Sequence, residues 1–144
     1  MKLIRVTKEN MEFIYRVRSH PEVDKYLLGE PPANLREHGK FMGQNMGRFR
    51  ILWDDVYGNI GYSQITQLKP NMAEIGFCLH PDFQGRGFGV NLVELTIKEA
   101  KKQNDFIVLF VHENNTRAIK LYHKLGFKKV SSENEVDFMI SSKD

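Results

Sequence analysis

The sequence predicts a mixed α/β (α+β) fold of six or seven strands and about four helices, and three observations carry that prediction. Alternating apolar and polar runs form hairpin-like pairs toward both ends, so the sheet is expected to be mixed and mostly antiparallel. Between them, a glycine-rich turn at 84–89 joins a strand-like run to an apolar-periodic helix. A nearly uniform apolar run, Phe106 to Val111, then lies between two helical patterns, as a strand covered on both faces would. At 144 residues the chain suits one domain, 1–144, with a proper core.

Leu3 to Thr7 reads as a short strand, and Thr7 as the cap of a helix from Lys8 that buries Met11, Ile14 and Val17. Pro21 is placed to open a second short helix through Val23, Tyr26 and Leu27. Gly29-Glu30-Pro31-Pro32 forbids regular structure and reads as a loop. A helix over Leu35 to Gln44 follows. Arg48 to Trp53 and Ile60 to Leu68 alternate in strand fashion about an Asp54-to-Asn59 turn. Ala73 to Leu79 forms the next strand, with Ile75, Phe77 and Leu79 on one face and Glu74, Gly76, Cys78 and His80 on the other. Val90, Val93, Ile97 and Ala100 mark the buried face of the helix over Val90 to Lys101. Ala118, Leu121, Tyr122 and Leu125 mark the next helix, which Gly126 stops. Phe127 to Ser131 and Val136 to Ser141 close the chain as a hairpin.

Composition excludes several function classes. Apolar content of 41% and charged content of 27% are ordinary for a soluble domain. No run approaches the ~18 apolar residues of a membrane span, and Met1 to Arg5 lacks a signal-peptide core. One cysteine, Cys78, excludes a disulfide framework and points to a reducing cytoplasm. A net charge of +3 without a basic stripe gives no reason to expect nucleic acid. No His/Asp/Glu spacing suggests a metal site.

The turn Gln84-Gly85-Arg86-Gly87-Phe88-Gly89 carries most of the functional information. Glycines at alternate positions leave backbone N–H groups uncovered at the positive end of a helix, which makes an anion cradle. A Walker loop is excluded, because no Lys-Ser/Thr follows. A dinucleotide fingerprint fits Gly85 and Gly87 but puts Val90 where the third glycine belongs, and the rest of that fold is missing. A glycine-rich connector without ligand is the bland alternative.

Gln84-x-x-Gly87-x-Gly89 resembles the acetyl-CoA pyrophosphate loop of the GNAT superfamily of N-acetyltransferases. The run Val111 to Phe127, with Asn115 opening a helix and Ala118-x-x-x-Tyr122-x-x-x-Gly126-Phe127, is similar to the second signature of that family. The resemblance covers Met72 to Phe127 closely and the N-terminal third loosely. It implies that the strands ending at Leu79 and Val111 splay apart, with helices on both faces of the sheet. It implies acetyl-CoA as cosubstrate, its diphosphate on the N–H groups of Arg86, Gly87, Phe88 and Gly89. Side-chain donors would come from Gln84 and Arg86, and the pantetheine arm would pair near Phe77 and Leu79. Gly85 belongs to the same cradle. Asn115 would serve as cap and as partner to the arm, and Arg117 lies where a 3′-phosphate reaches.

Tyr122 matches the general acid of the family, which protonates the departing thiolate. Glu74 is the nearest acid for deprotonating the amine, and His80 competes for that role with an ordinary imidazole pKa near 6.5. Cys78 as an acyl carrier is the weaker alternative to small-residue packing.

For the acceptor, Tyr15 to Val23 and Glu37 to Met42 are similar to GNAT enzymes that acetylate nucleotide-linked 4-amino sugars of the pseudaminic-acid type, with Ser19 replacing their Asn. On that likeness Arg18 and His38 are substrate-binding candidates. A polyamine, aminoglycoside or protein N-terminal acceptor is the rival within the class. A CoA-binding module without catalysis is the rival outside it. The expected partner is a small-molecule amine, with no membrane or nucleic acid, and a homodimer is left open.

Overall fold

A computed structural model describes residues 1–24 and 34–142. Strands β1 (Lys2–Arg5), β2 (Phe49–Asp54), β3 (Gly58–Lys69), β4 (Met72–Leu79), β5 (Phe106–His112), β6 (Lys128–Glu133) and β7 (Val136–Ser142) form one sheet. Their order is β1-β2-β3-β4-β5-β7-β6, antiparallel throughout except for the parallel β4–β5 pair. The helices are α1 (Met11–Arg18), α2 (Pro21–Asp24), α3 (Leu35–Asn45), α4 (Phe88–Lys101) and α5 (Thr116–Lys124). The loop expected at 29–32 and the α2 positions Tyr26 and Leu27 lie outside the described residues.

The turns explain the register. Asp54 Oδ2 accepts the backbone N–H of Val56 at 2.9 Å, and Gly58 takes φ +74° to start β3. Pro70-Asn71 links β3 to β4, with Asn71 at φ +71° as the third residue of a type II turn demands. Asn134 and Glu135, both left-handed, form the I′-like link of β6 to β7.

One core packs α1, α2 and α3 against one face of the sheet, through Phe13, Ile14, Val17, Val23 and Met42 on Phe49, Ile51 and Tyr62. The other face carries α4 and α5, with Val93, Ala100 and Tyr122 on Ala73, Ile75, Ile107, Leu109 and Val111. Three expectations change. Helix α1 starts at Met11 because Asn10 Oδ1 takes the Thr7 N–H at 2.7 Å, closing a separate turn first. The buried stripe of α4 is Leu92, Val93, Thr96 and Ala100, while Val90 is 39% exposed in the opening turn. Leu92 reaches a further cluster with Leu52 and Ile60, which broadens and rotates that stripe. Strand β5 is not covered throughout, since Phe106 and Phe110 stand exposed.

Gly61 shows how tightly β3 and β4 are seated. It pairs with Leu79, and a Cβ there would stand 2.6 Å from the Cys78 carbonyl oxygen and 3.1 Å from Leu79 Cα. Those are backbone atoms and cannot swing aside. Gly61→Ala is expected to destabilise by about 1–3 kcal/mol, the usual cost of overpacking. Thermal denaturation should register a drop of several degrees, and an unchanged midpoint would contradict this packing.

Candidate active site

Strands β4 and β5 pair over only three positions, Met72↔Phe106, Ala73↔Ile107 and Glu74↔Val108. Beyond Glu74, β4 stays paired with β3 as far as Leu79↔Gly61, and β5 stays with β7 as far as His112↔Val136. The two strands therefore fork, and the facing edges of 75–79 and 109–112 have no strand partner between them. A cavity of about 1020 Å³ occupies the fork, walled by both strands, the glycine turn and α5. The splay implied by the sequence resemblance is present.

At its mouth, Pro81–Phe83 form a short 3-10 turn that His80 caps, its Nδ1 accepting the Asp82 N–H at 3.1 Å. Gly85 and Gly87 follow at φ +74° and +89°, conformations only glycine adopts without strain. No atom lies within 4 Å of where a Gly87 side chain would begin, so the cradle is open there. The Arg117 guanidinium lies 3.9 Å from the same point on Gly85, so α5 brings a cation to the cradle. Gln84, Gly85, Gly87, Gly89, Phe77 and Leu79 all line the cavity.

Arg86 and Phe88 do not line it. The Arg86 side chain, expected to add a donor, sits over Tyr57 at 4.9 Å, Phe88 at 5.5 Å and Phe83 at 5.6 Å. Flanked by two left-handed glycines, it faces away from the cradle, where cation–π contacts hold it. Its contribution to an anion is limited to its backbone N–H.

On the α5 side, Asn115 Oδ1 accepts the Ala118 N–H at 3.3 Å, so the cap is formed, and Asn115 also lines the cavity with Arg117. Gly126 at φ +97° ends the helix, and the Phe127 N–H donates to the Tyr122 carbonyl at 2.9 Å. The Tyr122 ring lies 5.7 Å from Phe77 and 6.1 Å from Phe127, and its hydroxyl has no hydrogen-bond partner among the described residues. Burial, with the nearby Cys78 thiol, holds this phenol well above its ordinary pKa. It stays a proton donor.

The α1 side of the fork carries Arg18, Glu22, Tyr62, Gln64, Glu74 and Cys78. Glu74 is the last β4 residue paired with β5, which sets its carboxyl at the apex. Partial burial raises its pKa, and the Arg48 charge offsets only part of that rise. Arg18 lines the cavity with its guanidinium 5.6 Å from the Phe41 ring. Burial pushes the Cys78 thiol up to about 12, which makes it a poor nucleophile.

Two histidines are not at the cavity wall. His38 is wholly buried between α1 and α3, its Nε2 donating to the Met11 carbonyl at 2.9 Å. Burial holds its pKa down, and a substrate cannot reach it, so its assignment to acceptor binding is withdrawn. His80, the rival base, is a turn cap packed among Phe13, His20 and Phe83. Sequence reasoning missed Tyr62, Gln64 and Glu22. The first two sit two apart on β3, opposite Cys78 and Gly76, a placement visible only once the register is known.

The sequence profile described as the Acetyltransferase (GNAT) family matches residues 10–127. Among relatives, the chain is 26% identical over 147 residues to the uncharacterised protein MJ1062 of Methanocaldococcus jannaschii, covering 94% of this chain and 29% of that protein. It is 32% identical over 84 residues to a mycothiol acetyltransferase of Corynebacterium glutamicum, covering 57% of this chain and 28% of the relative. The chain thus spans under a third of the length of these curated relatives. The fold is shared with the crystal structure of spermidine N-acetyltransferase from Vibrio cholerae in complex with CoA and spermine, at TM-score 0.87 and 19% identity, covering 99% of this chain and 95% of that one.

Proposed function

The chain belongs to the GNAT acetyltransferase family, and from that premise we propose that it transfers an acetyl group from acetyl-CoA to a primary amine by direct attack. One observation carries this reading: a glycine cradle at a helix N-terminus opens into a fork of unpaired strand edges, with Tyr122 and Glu74 along its walls. The residues fit the cosubstrate. The backbone N–H groups of 86–89 suit a diphosphate, with each anion–helix contact worth roughly 0.3–1 kcal/mol. Arg117 adds a formal charge, and the β4 edge at Phe77 to Leu79 offers strand-like pairing to an amide-bearing arm. Acetyl-CoA supplies the activated acyl carbon.

The chemistry left to the protein is proton management. An alkylammonium has a reference pKa near 10.4, so it must lose a proton before its nitrogen can attack. Glu74 takes that proton, directly or through water, and its raised pKa makes it a better base than an exposed glutamate. The amine nitrogen bonds to the acyl carbon, the C–S bond breaks, and Tyr122 donates to the leaving sulfur. Per turnover, ammonium and acetyl-CoA give amide, CoA thiol and one released proton. A phenol near 10 is a weaker acid than a thiol near 8.5, so full transfer costs about 2 kcal/mol in water. Burial raises the Tyr122 phenol and widens that gap, and the same desolvation raises the thiolate and offsets part of it. The raised pKa of Cys78 favours this route over an acyl-enzyme.

The acceptor we favour carries an anion as well as the amine, as a nucleotide-linked amino sugar does. Arg18, on the α1 side of the cavity, supports this. Glu22 and Glu74 support a polyamine as the second reading. A thiol-release screen with acetyl-CoA across nucleotide-linked amino sugars, polyamines and peptides tests both. Coenzyme binding with no amine-dependent release across the panel would favour a non-catalytic binding module.

Glu74→Gln offers a separate check. A carboxyl whose folded pKa is raised favours folding fully below its unfolded pKa, and that contribution fades as pH climbs through the folded value. The amide avoids the penalty of ionisation. Glu74→Gln is therefore expected to raise the melting temperature at neutral pH, leave it unchanged at acidic pH, and lower turnover. Equal melting temperatures at both pH values would place Glu74 in an ordinary solvated setting.

A further inference from the structure

Gly76 is a glycine whose backbone does not require one. It sits inside β4 paired with Gln64 of β3, and it is absent from the residues of positive φ. A glycine inside a strand weakens it, and commonly marks a place where another group approaches closely. Here that group is a side chain. A Cβ on Gly76 would lie 3.3 Å from Gln64 Cγ, 3.4 Å from its Nε2 and 3.5 Å from its Cδ. The Gln64 amide is thus laid against the space where a side chain at 76 would stand, and a methyl there would push it aside by a few tenths of an ångström.

That position is the base of the fork. Glu74, two residues earlier on the same face of β4, is the last residue paired with β5. Glu74 and the diagonal Gln64 are within reach of each other for long side chains. Both line the cavity, and neither has a hydrogen-bond partner among the described residues. The Arg48 charge acts on Glu74 from a distance, and neither the carboxylate nor the amide oxygen has a protein donor among those residues, so both are open to a donor that enters the cleft. A primary ammonium offers three N–H donors and no acceptor.

We infer that Gln64, seated in the gap left by Gly76, is a positioning residue for the acceptor: its amide oxygen accepts one N–H of the incoming ammonium while Glu74 faces another. The proton lost to Glu74 then leaves a nitrogen lone pair aimed into the fork. Gly76 acts only through Gln64. The seat reads the ammonium head that every primary-amine acceptor shares, whatever Arg18 reads beyond it. This rests on the acetyltransferase reading above.

The probe is propylamine, the ammonium head with little attached, assayed by thiol release from acetyl-CoA alongside calorimetric CoA affinity. Gln64→Ala is expected to raise the KM for propylamine roughly tenfold, as losing one hydrogen bond to a charged group does. The KM for acetyl-CoA should not move. Gln64→Glu keeps an acceptor oxygen and adds charge, so it should lower the propylamine KM, which a packing role alone would not do. Gly76→Ala displaces the amide and should also raise that KM, but should add nothing in the Gln64→Ala background. An unchanged KM in Gln64→Ala, or a Gly76→Ala effect that persists without the Gln64 amide, would overturn the inference. So would wild-type protein that binds CoA yet releases no thiol with propylamine. Absence of CoA binding would instead sink the acetyltransferase reading together with everything resting on it.

Discussion

Tyr122→Phe is expected to lower turnover by roughly 10²–10⁴-fold, the range attributed to one positioned acid or base, with CoA affinity unchanged. The substitution removes one oxygen and little else. The ring contacts with Phe77 and Phe127 are apolar, and Phe reproduces them. Because the hydroxyl has no partner among the described residues, its loss orphans no protein group, and the melting temperature should hold or rise slightly. That combination separates two accounts of the same tyrosine. A core tyrosine whose hydroxyl served the fold would lose stability and keep its rate. A donor to the leaving sulfur keeps its stability and loses its rate. Single-turnover thiol release, measured with saturating acetyl-CoA, isolates the chemical step from binding and product release. If the variant turned over at the wild-type rate, the departing thiolate would need another donor, and among the described residues the other hydroxyl lining the cavity is that of Tyr62, on the α1 side.

How much of this was legible beforehand follows from the reach of each signal. Local signals served well. Asn115 caps α5 as a short polar side chain before an apolar period should, and Gly126 stops α5 in the left-handed conformation. The hairpins were readable because alternation and turn residues lie within a few positions of each other. Side-chain direction inside the glycine turn was not. Arg86 alternates with glycines, and nothing local says that Tyr57, some thirty residues earlier, will receive its guanidinium. His38 failed for a related reason. It shares a helix with apolar residues, but whether its ring meets a cleft or the Met11 carbonyl depends on how α1 packs against α3. Gln64 and Gly76 are unremarkable in sequence and become a pair only through the β3–β4 register. The fork itself came from a resemblance, since no periodicity distinguishes a strand that keeps its neighbour from one that leaves it.

Gly87→Asp is expected to weaken CoA binding by about three orders of magnitude while the protein stays folded. Two costs must be kept apart. The first is conformational, because an L-residue at φ +89° gives up about 1–2 kcal/mol, less for Asp and Asn, which hydrogen-bond locally. No steric cost joins it, since no atom lies within 4 Å of the new Cβ. The second is electrostatic and appears only with ligand. A carboxylate about 4 Å from a phosphate charge costs about 4 kcal/mol at an effective dielectric near 20, which converts to roughly a thousandfold in affinity. Gly87→Asn carries the same shape and the same backbone strain without the charge, so its CoA affinity should fall far less. Raising the salt concentration screens the repulsion that only the Asp variant has, so the gap between the Asp and Asn variants should narrow. Equal affinities for the Asp and Asn variants would mean that no phosphate approaches position 87. The open space over that glycine would then belong to solvent, and the diphosphate would have to be sought elsewhere along the fork.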